Sequence, residues 1–244
     1  MLGYNLIPMK INSPFFPLEI VISKRKKPAD NGKIKINRDY NKIFCIGFNK
    51  TGTTSLEKLL KTLGFTVGNQ AAAEMLMGDW AKYKNADRII KYCHSADAFQ
   101  DVPFMFPGLY KELDRAFPNS RFILTVRDSA DQWLHSLKAF HTKKFSTDKN
   151  RTPNEEDLKN ATYRYKGFMF DLAELFWDYP LVPLYLDQQY KEKYTRHIND
   201  VTEYFHETNK LLRLNVGSKS DLNVLCRFLN VETKISEFPW ENRT

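Results

Sequence analysis

The chain has 244 residues, of which 42% are hydrophobic and 14% aromatic, and it carries a formal net charge of +8. A chain of this length and composition buries one sizeable core, most simply as a single globular domain. No apolar run approaches the roughly 20 residues of a membrane-spanning helix, and the first residues lack the long apolar stretch of a secretory signal. The composition therefore predicts a soluble protein and argues against a transmembrane or secreted one.

Most of the positive charge lies in one short segment. Residues 24–42 contain eight lysines and arginines against two aspartates, a local excess of +6, and the rest of the chain is nearly neutral. This distribution predicts a basic N-terminal extension, residues 1–40, ahead of a single α/β domain, residues 41–244. The basic run at residues 24–27 is typical of a solvated arm, with contact to acidic lipid or nucleic acid as the alternative. The chain as a whole is not predicted to be a dedicated nucleic-acid binder.

The most informative segment, residues 43–56, predicts a buried strand, a glycine turn and the start of a helix. Residues 43–48 form a short apolar run typical of a parallel strand. Leucines then recur at helical spacing and mark one buried face: Leu56, Leu59, Leu60 and Leu63. Backbone N–H groups at the helix start and the positive end of its dipole favour an anion in the turn.

The position of the lysine in this turn indicates which anion it binds. A nucleoside-triphosphate loop has its lysine directly after the second glycine, but here Thr53 follows Gly52 and Lys50 lies inside the loop. The order Lys-Thr-Gly-Thr-Thr after a strand instead resembles the 5′-phosphosulfate loop of sulfotransferases, which use 3′-phosphoadenosine 5′-phosphosulfate (PAPS) and need no metal. A divergent triphosphate site and an uncharged structural turn are the alternatives. The resemblance assigns these residues to the phosphosulfate: Asn49, Lys50, Thr51, Gly52, Thr53, Thr54 and Ser55.

A second strand-to-helix segment begins at residue 121. In sulfotransferases the corresponding strand ends in an arginine, and a serine about two helical turns later joins it on the 3′-phosphate of the cofactor; Arg127 and Ser136 match these positions. An arginine fork and a hydroxyl suit a terminal phosphate, since several charge-assisted hydrogen bonds form at once. The interval is one residue longer than the commonest family pattern, so Ser129 or the helix N-terminus is an alternative. In the structural alternative, Arg127 forms a surface ion pair with a neighbouring aspartate and binds no ligand.

Between these segments, residues 95–103 predict a third strand that ends near Pro103. Many cytosolic sulfotransferases carry His-Leu-Pro at this place, with the histidine as base, whereas this chain has Asp101 before Val102 and Pro103. A carboxylate within reach of the acceptor takes the same proton, so Asp101 is the predicted general base. A turn-capping aspartate is the structural alternative, and His94 is the competing base.

The order of strands and helices from residue 41 onward predicts an α/β fold. Alternating strands and helices indicate a three-layer α/β/α architecture with a central parallel sheet, and the resemblance implies the P-loop NTPase-like fold of sulfotransferases. Lys50, Asp101 and Arg127 all follow predicted strands, and the carboxyl ends of parallel strands meet at one edge of a sheet. The three residues are therefore expected to converge on one site.

The second half of the chain predicts a long aromatic helix over residues 163–177, a helix over 187–206, a strand over 210–216 and a last helix. Most aromatic residues in 163–179 are expected in the core, and some at the floor of an acceptor pocket. The C-terminal residues resemble those of bacterial sulfotransferase-like proteins. The Arg-Lys-Gly-x-x-Gly loop that animal cytosolic sulfotransferases place on the 3′-phosphate is missing, which leaves Arg164, Lys166 and Arg243 as candidates for the remaining contacts.

The cysteines and histidines indicate the redox compartment of the protein and whether it binds a metal. The three cysteines form no C-x-x-C pair, which fits a reducing compartment and predicts a cytoplasmic protein. The five histidines show no metal-binding spacing, so no metal site is predicted. His141 is expected on the surface, with the acceptor site as its alternative.

These residues together predict a PAPS-dependent sulfotransferase that acts on a hydroxyl or amine of a small-molecule or glycan acceptor. Lys50 and Asp101 are the predicted catalytic residues. Two other classes stay open: a P-loop kinase or nucleotide hydrolase that needs magnesium, and a catalytically silent sulfotransferase-like binding protein. Neither the acceptor nor the oligomeric state is predicted.

Overall fold

The computed structural model describes residues 9–12, 17–20, 35–36, 38–216, 220–233 and 235. Within these ranges, the side chains of 9–12, 17–20, 35 and 220 are not described. The predictions for the basic run at residues 24–27, for Arg243 and for the C-terminal close of the chain fall outside the described residues.

A four-stranded parallel sheet forms the centre of the described structure. Its strands are β4 (Ile43–Cys45), β5 (Ala98–Gln100), β6 (Arg121–Thr125) and β7 (Leu211–Leu214). They lie in the order β5-β4-β6-β7. Four short strands form two antiparallel pairs outside this sheet: β1 (Met9–Asn12) with β2 (Pro17–Ile20), and β3 (Lys35–Ile36) with β8 (Val231–Glu232).

Helices connect the strands of the sheet and cover it. The helices of the first half are α1 (Thr53–Thr62), α2 (Gln70–Glu74), α3 (Met77–Tyr83), α4 (Asp87–Tyr92), α5 (Leu109–Ala116) and α6 (Ala130–Phe145). Those of the second half are α7 (Glu155–Asn160), α8 (Phe168–Trp177), α9 (Asp187–Tyr204) and α10 (Ser220–Phe228). A single 3-10 turn, Cys93–Ser95, precedes β5.

Side chains alternate between the two faces of β4, as the period of a strand requires. Ile43 and Cys45 pack in one hydrophobic cluster with the leucines of α1 and with α10, whereas Phe44 packs in a second cluster with residues of α4, α5, α6, α8 and α9. The sheet therefore lies between two helical layers. This arrangement confirms the predicted three-layer α/β/α fold with a central parallel sheet.

The strand order places a crevice beside β4. The chain leaves β4 for β5 on one side and returns to β6 on the other side of β4. Ligands of open parallel sheets bind where the connections diverge in this way, outside the carboxyl ends of the strands. The loops that follow β4, β5 and β6 hold Lys50, Asp101 and Arg127.

Residues just before β4 pack on the domain. Tyr40 is buried, and its hydroxyl donates to the carbonyl oxygen of Leu229 at 2.9 Å. Ile36 of β3 packs against the cluster of α1 and α10. The boundary at residues 40 and 41 stays a prediction. Among the described residues, no helix is long and apolar enough to span a membrane.

Candidate active site

The loop after β4 is held tightly against β6. A Cβ atom on Gly47 would lie 2.2 Å from Oγ1 and 2.4 Å from the carbonyl oxygen of Thr125, so only glycine permits this approach. The Thr51 side chain is fully buried; its hydroxyl donates to the Phe48 carbonyl oxygen at 2.5 Å and lies 2.6 Å from Oγ1 of Thr125. Of the predicted phosphosulfate residues, Thr51 thus braces the loop from inside, and its hydroxyl is directed away from the ligand side.

Gly52 ends the loop and begins α1. Its φ of +98° lies in the left-handed region, and a Cβ there would lie 2.7 Å from Cβ of Val216. The helix has no side-chain cap and no acidic residue in its first turn. Amide N–H groups at an uncapped helix start need partners, and the helix dipole favours an anionic one.

Lys50 extends from the same loop toward α6. Its Nζ lies 4.0 Å from the centre of the Phe140 ring, a distance at which a cation is attracted to the ring face. Burial lowers the pKa of Lys50, and the charge of Arg127 lowers it further, whereas Asp101 opposes both effects. A desolvated lysine beside a second cation gains more from an anionic ligand than a solvated one does.

Arg127 is tied to the Lys50 loop by a short chain of contacts. Its Nε donates to the Lys50 carbonyl oxygen at 2.8 Å, and its backbone N–H donates to the Tyr194 hydroxyl at 3.0 Å. The Tyr194 ring stacks on Trp133 at 4.5 Å, and Trp133 Nε1 donates to the Asn49 carbonyl oxygen at 3.0 Å. The arginine and the lysine are therefore positioned by one connected network.

The aspartates next to Arg127 have other partners. The Asp128 carboxylate accepts hydrogen bonds from the side chains of Gln132 and Asn215. Asp131 forms an ion pair with Lys191 of α9 at 2.9 Å. The surface ion pair considered as the alternative role of Arg127 does not form among the described residues.

Asp101 follows β5 in a left-handed conformation, with φ 58°. One carboxylate oxygen accepts the backbone N–H of Val102 at 2.9 Å, and the other lies 3.4 Å from Oγ1 of Thr53. The turn-capping contact is thus present, while the second oxygen lies near the first turn of α1. Burial raises the pKa of Asp101 to about 6, and the charge of Glu74 adds to this, against the opposing effect of its hydrogen bonds and of Lys50.

Glu74 of α2 also lines the cavity described below, and the sequence pattern did not indicate it. It is 4% exposed, pairs with the Arg164 guanidinium and lies 3.5 Å from the Tyr163 hydroxyl. Burial raises the pKa of Glu74, and Arg164 opposes the rise. Arg164, a candidate cofactor contact, is therefore engaged with Glu74, and Lys166 is exposed and outside the cavity described below.

The three histidines considered for the site differ in burial: His141 is buried, whereas His94 and His135 are exposed. His141 was expected on the surface, and this prediction is wrong: the side chain is buried, with Nδ1 2.8 Å from the Tyr185 hydroxyl. Burial lowers the pKa of His141 to about 3, and Lys50 contributes to the lowering. His94 and His135 are exposed and do not line the cavity described below. His141 lies on α6 and lines the cavity.

Ser136 lies on α6, buried at 4% exposure, and its hydroxyl has no hydrogen-bond partner within the described part of the chain. It does not line the cavity. Ser129, the alternative, is the N-cap of α6, and its hydroxyl accepts the backbone N–H of Gln132 at 3.0 Å. Of these two serines, Ser136 therefore has the unpaired hydroxyl among the described residues, but it does not reach the cavity wall.

One cavity at the strand ends joins most of these residues. It has about 850 Å³ of empty space, including its open mouth. Residues of the Lys50 loop, of the β5 and β6 ends and of α2 form one part of its wall: Asn49, Lys50, Gly52, Thr53, Thr54, Ser55, Glu74, Asp101, Val102 and Arg127. Residues of α6, α8 and the turn before α8 form the rest: Phe140, His141, Phe145, Tyr163, Phe168, Met169 and Leu172.

Fold and cavity together define an α/β protein in which two cations, an uncapped helix start and a carboxylate line one cavity at the carboxyl edge of the sheet. Within the described residues, no group of three or more His, Cys, Asp or Glu side chains is arranged to hold a metal ion.

Comparison with known proteins identifies the family. A family model described as a sulfotransferase domain matches residues 42–244, so the chain belongs to the sulfotransferase-domain family. The match confirms the resemblance drawn from the sequence and indicates a transferase of sulfuryl groups in general. A search of the curated proteins found no match.

Proposed function

We propose that this protein transfers a sulfuryl group from PAPS to a hydroxyl or amine of a small acceptor molecule. The observation that carries the proposal is the convergence of Lys50, Arg127 and Asp101 on one cavity, from three different strand ends. Two cations bind the donor, and a carboxylate takes the acceptor proton.

The donor end of the cavity fits a molecule with a phosphosulfate and a separate phosphate. Lys50 and the uncapped start of α1 offer positive charge and N–H donors for the phosphosulfate. Several buried polar atoms have no hydrogen-bond partner within the described structure, and two of them belong to predicted cofactor residues: Oδ1 of Asn49 and Oγ of Ser136. A buried group of this kind gains a partner when a polar ligand binds within its reach. In this proposal Arg127, which lines the cavity, holds the 3′-phosphate, and Ser136 stays a predicted second contact.

The reaction is an in-line displacement at sulfur. The acceptor oxygen forms a bond to sulfur while the bond between sulfur and the bridging oxygen of the donor breaks. The electron pair of that bond leaves on the phosphate, where Lys50 and the amides at the start of α1 stabilise it more strongly than they stabilise the ground state. The hydroxyl proton passes to Asp101.

Asp101 suits this step because its pKa of about 6 lies close to neutrality. A general base works best when its pKa is near the operating pH, since it is then largely ionised and still basic enough to take the proton. His141 is neutral at physiological pH, and its Nδ1 is engaged with Tyr185.

Removal of the base tests the proposal. In Asp101→Asn, sulfuryl transfer from labelled PAPS is expected to fall at least about 100-fold, while 3′-phosphoadenosine 5′-phosphate still binds, because the Lys50 loop is unchanged. Asp131→Asn, an exposed aspartate paired with Lys191, is the matched control and should keep full activity. Full activity of Asp101→Asn would refute the base.

Two rival functions make different predictions. A P-loop kinase or hydrolase requires ATP or GTP with magnesium, and a silent binding protein binds the phosphoadenosine without turnover. Thr53 at the position of the kinase lysine favours the sulfotransferase. Free and buried cysteines, Cys45, Cys93 and Cys226, support a reducing, cytoplasmic location as part of the same proposal.

A further inference from the structure

The part of the cavity beyond Asp101 is lined by aromatic rings. Phe145 lies against Tyr163 with ring centres 6.0 Å apart and planes at 88°, and Tyr163 lies 5.5 Å from Phe168. Met169 and Leu172 of α8 complete this wall. We call these residues the ring wall. Aromatic rings that line a cavity in such tilted arrangements present both faces and edges to a further apolar ring.

Polar groups near the ring wall are mostly engaged. His141 contacts the Tyr185 hydroxyl, and Glu74 accepts from Arg164 and lies near the Tyr163 hydroxyl. Within the described cavity wall, one carboxylate oxygen of Asp101 has no partner closer than 3.4 Å, and Nε2 of His141 has no hydrogen bond. An acceptor with many hydroxyls would bury several of them without partners, and each unsatisfied hydroxyl would weaken binding. The cavity thus suits an acceptor that has one polar group directed at Asp101.

The charges near the ring wall disfavour an acidic acceptor. Asp101 and Glu74 are both acids, and Glu74 neutralises Arg164. The unpaired cations of the described cavity wall, Lys50 and Arg127, lie at the donor end. A carboxylate bound against the ring wall would therefore be desolvated without a cation to compensate.

We propose that the acceptor is a small, uncharged molecule with one reacting hydroxyl on a flat apolar ring, such as a phenol. This inference rests on the proposed function and specifies its substrate. The ring lies on the ring wall, the hydroxyl points to Asp101, and the acidic side chains of Asp101 and Glu74 disfavour carboxylated analogues.

The test measures acceptor binding to the full-length protein saturated with 3′-phosphoadenosine 5′-phosphate, by calorimetry. Three probes separate the possibilities: 2-naphthol, its carboxylated counterpart 6-hydroxy-2-naphthoate and the neutral polyol N-acetylglucosamine. We expect 2-naphthol to bind at least about tenfold more tightly than either of the others, since a lost hydrogen bond or an unpaired charge weakens binding by about this factor.

Variants of the ring wall and of Glu74 make the test specific. Phe145→Ala and Tyr163→Ala should each weaken 2-naphthol binding about five- to tenfold without changing phosphoadenosine affinity. Tyr83→Ala, another exposed tyrosine, 62% exposed on α3, should change neither. Glu74→Gln should narrow the preference for 2-naphthol over the naphthoate, because one acidic group of the cavity wall is then removed.

Each outcome decides the question. Tighter binding of the naphthoate or of the sugar, or unchanged naphthol binding in both ring-wall variants, would overturn the inference. Phosphoadenosine binding without naphthol binding would overturn the inference alone. Absence of phosphoadenosine binding would overturn the proposed function together with the inference.

Discussion

Two features of Asp101 are energetically unfavourable: the burial of its carboxyl and its left-handed backbone. Its position between Glu74 and the start of α1 keeps the carboxyl partly desolvated and raises its pKa to about 6. The left-handed backbone at this residue, φ 58°, is a conformation that aspartate and asparagine tolerate better than most residues do. Position 101 therefore holds an aspartate whose backbone is strained and whose carboxyl is desolvated, although a residue without these two features would make the protein more stable.

The first residue-scale prediction concerns pH and activity. If the ionised form of Asp101 takes the proton, kcat/KM should fall as pH drops through about 6, the pKa of that carboxyl. The negative charge of Glu74 raises this pKa, so Glu74→Gln should move the acidic limb to lower pH. A pH profile of kcat/KM with saturating PAPS measures the shift. If the acidic limb does not move, the charge of Glu74 does not raise the pKa of Asp101.

The second residue-scale prediction concerns stability. The folded pKa of Asp101, about 6, lies above the ordinary value of 3.8, so the folded state binds more protons than the unfolded state between these values. Stability should therefore fall as pH rises through this window. Asp101→Asn removes the charged form and should raise the free energy of unfolding by about 2 kcal/mol at pH 8.

The same substitution should have little effect at pH 4, where the carboxyl is largely protonated in the folded protein. Urea unfolding at the two pH values is the measurement. A gain of equal size at both pH values, or a loss that grows with pH, would contradict the desolvation of Asp101.

The sequence indicated the cavity residues that follow strands and missed those that lie on helices, and the difference has a physical reason. Lys50, Asp101 and Arg127 follow strands, and strand ends of a parallel sheet meet at one edge whatever the remaining details. Glu74 and His141 lie on helices, where the side that meets the cavity depends on how the helix packs. The burial of His141 follows from the packing of α6 against Tyr185, a contact 44 residues away along the chain that no local pattern encodes.

At the scale of elements, the junction of β4 and α1 is the feature that the sequence specified best. Its strand, turn and helix each have a strong local signal, and the three signals agree. The aromatic segment before α8 was predicted less well: the expected helix over residues 163–177 begins only at Phe168. Gly167, with φ +91°, interrupts it, and a bridge between Thr162 and Lys166 forms a turn instead. That turn carries Tyr163 to the cavity.

The element-scale prediction concerns the packing of the Lys50 loop on β6. Gly47→Ala would place a methyl group 2.4 Å from the Thr125 carbonyl oxygen, which the backbone of a central strand cannot relieve. We expect a loss of about 3 kcal/mol in stability, together with weaker phosphoadenosine binding, because the loop is displaced.

Gly167→Ala is the matched control for this prediction. Its nearest contact would be 3.5 Å from the Lys159 carbonyl oxygen, so only the left-handed φ is unfavourable, at about 1 kcal/mol. Urea unfolding of both variants measures the difference. Equal losses would show that the close approach of Gly47 to Thr125 contributes nothing.

At the scale of the whole molecule, two hydrophobic layers fix the sheet and thereby the distances between its three functional loops. Residues as far apart in sequence as Asn49 and Trp133, or Arg127 and Tyr194, meet because the sheet brings β4 and β6 together and α9 covers them. The family match over residues 42–244 agrees with a site built by the entire domain. The three-layer fold was predictable from the alternation of strands and helices, whereas these long-range contacts were not.

The proposed function requires that the cavity bind a phosphoadenosine with a 3′-phosphate in preference to a nucleoside triphosphate with magnesium. Titration calorimetry of the full-length protein tests it most directly, with 3′-phosphoadenosine 5′-phosphate in the presence of a chelator and with ATP in the presence of magnesium. Because Lys50, the start of α1 and Arg127 provide charge-assisted contacts for two separate anionic groups, the phosphoadenosine should bind at least about tenfold more tightly. Tighter binding of magnesium ATP would contradict the account.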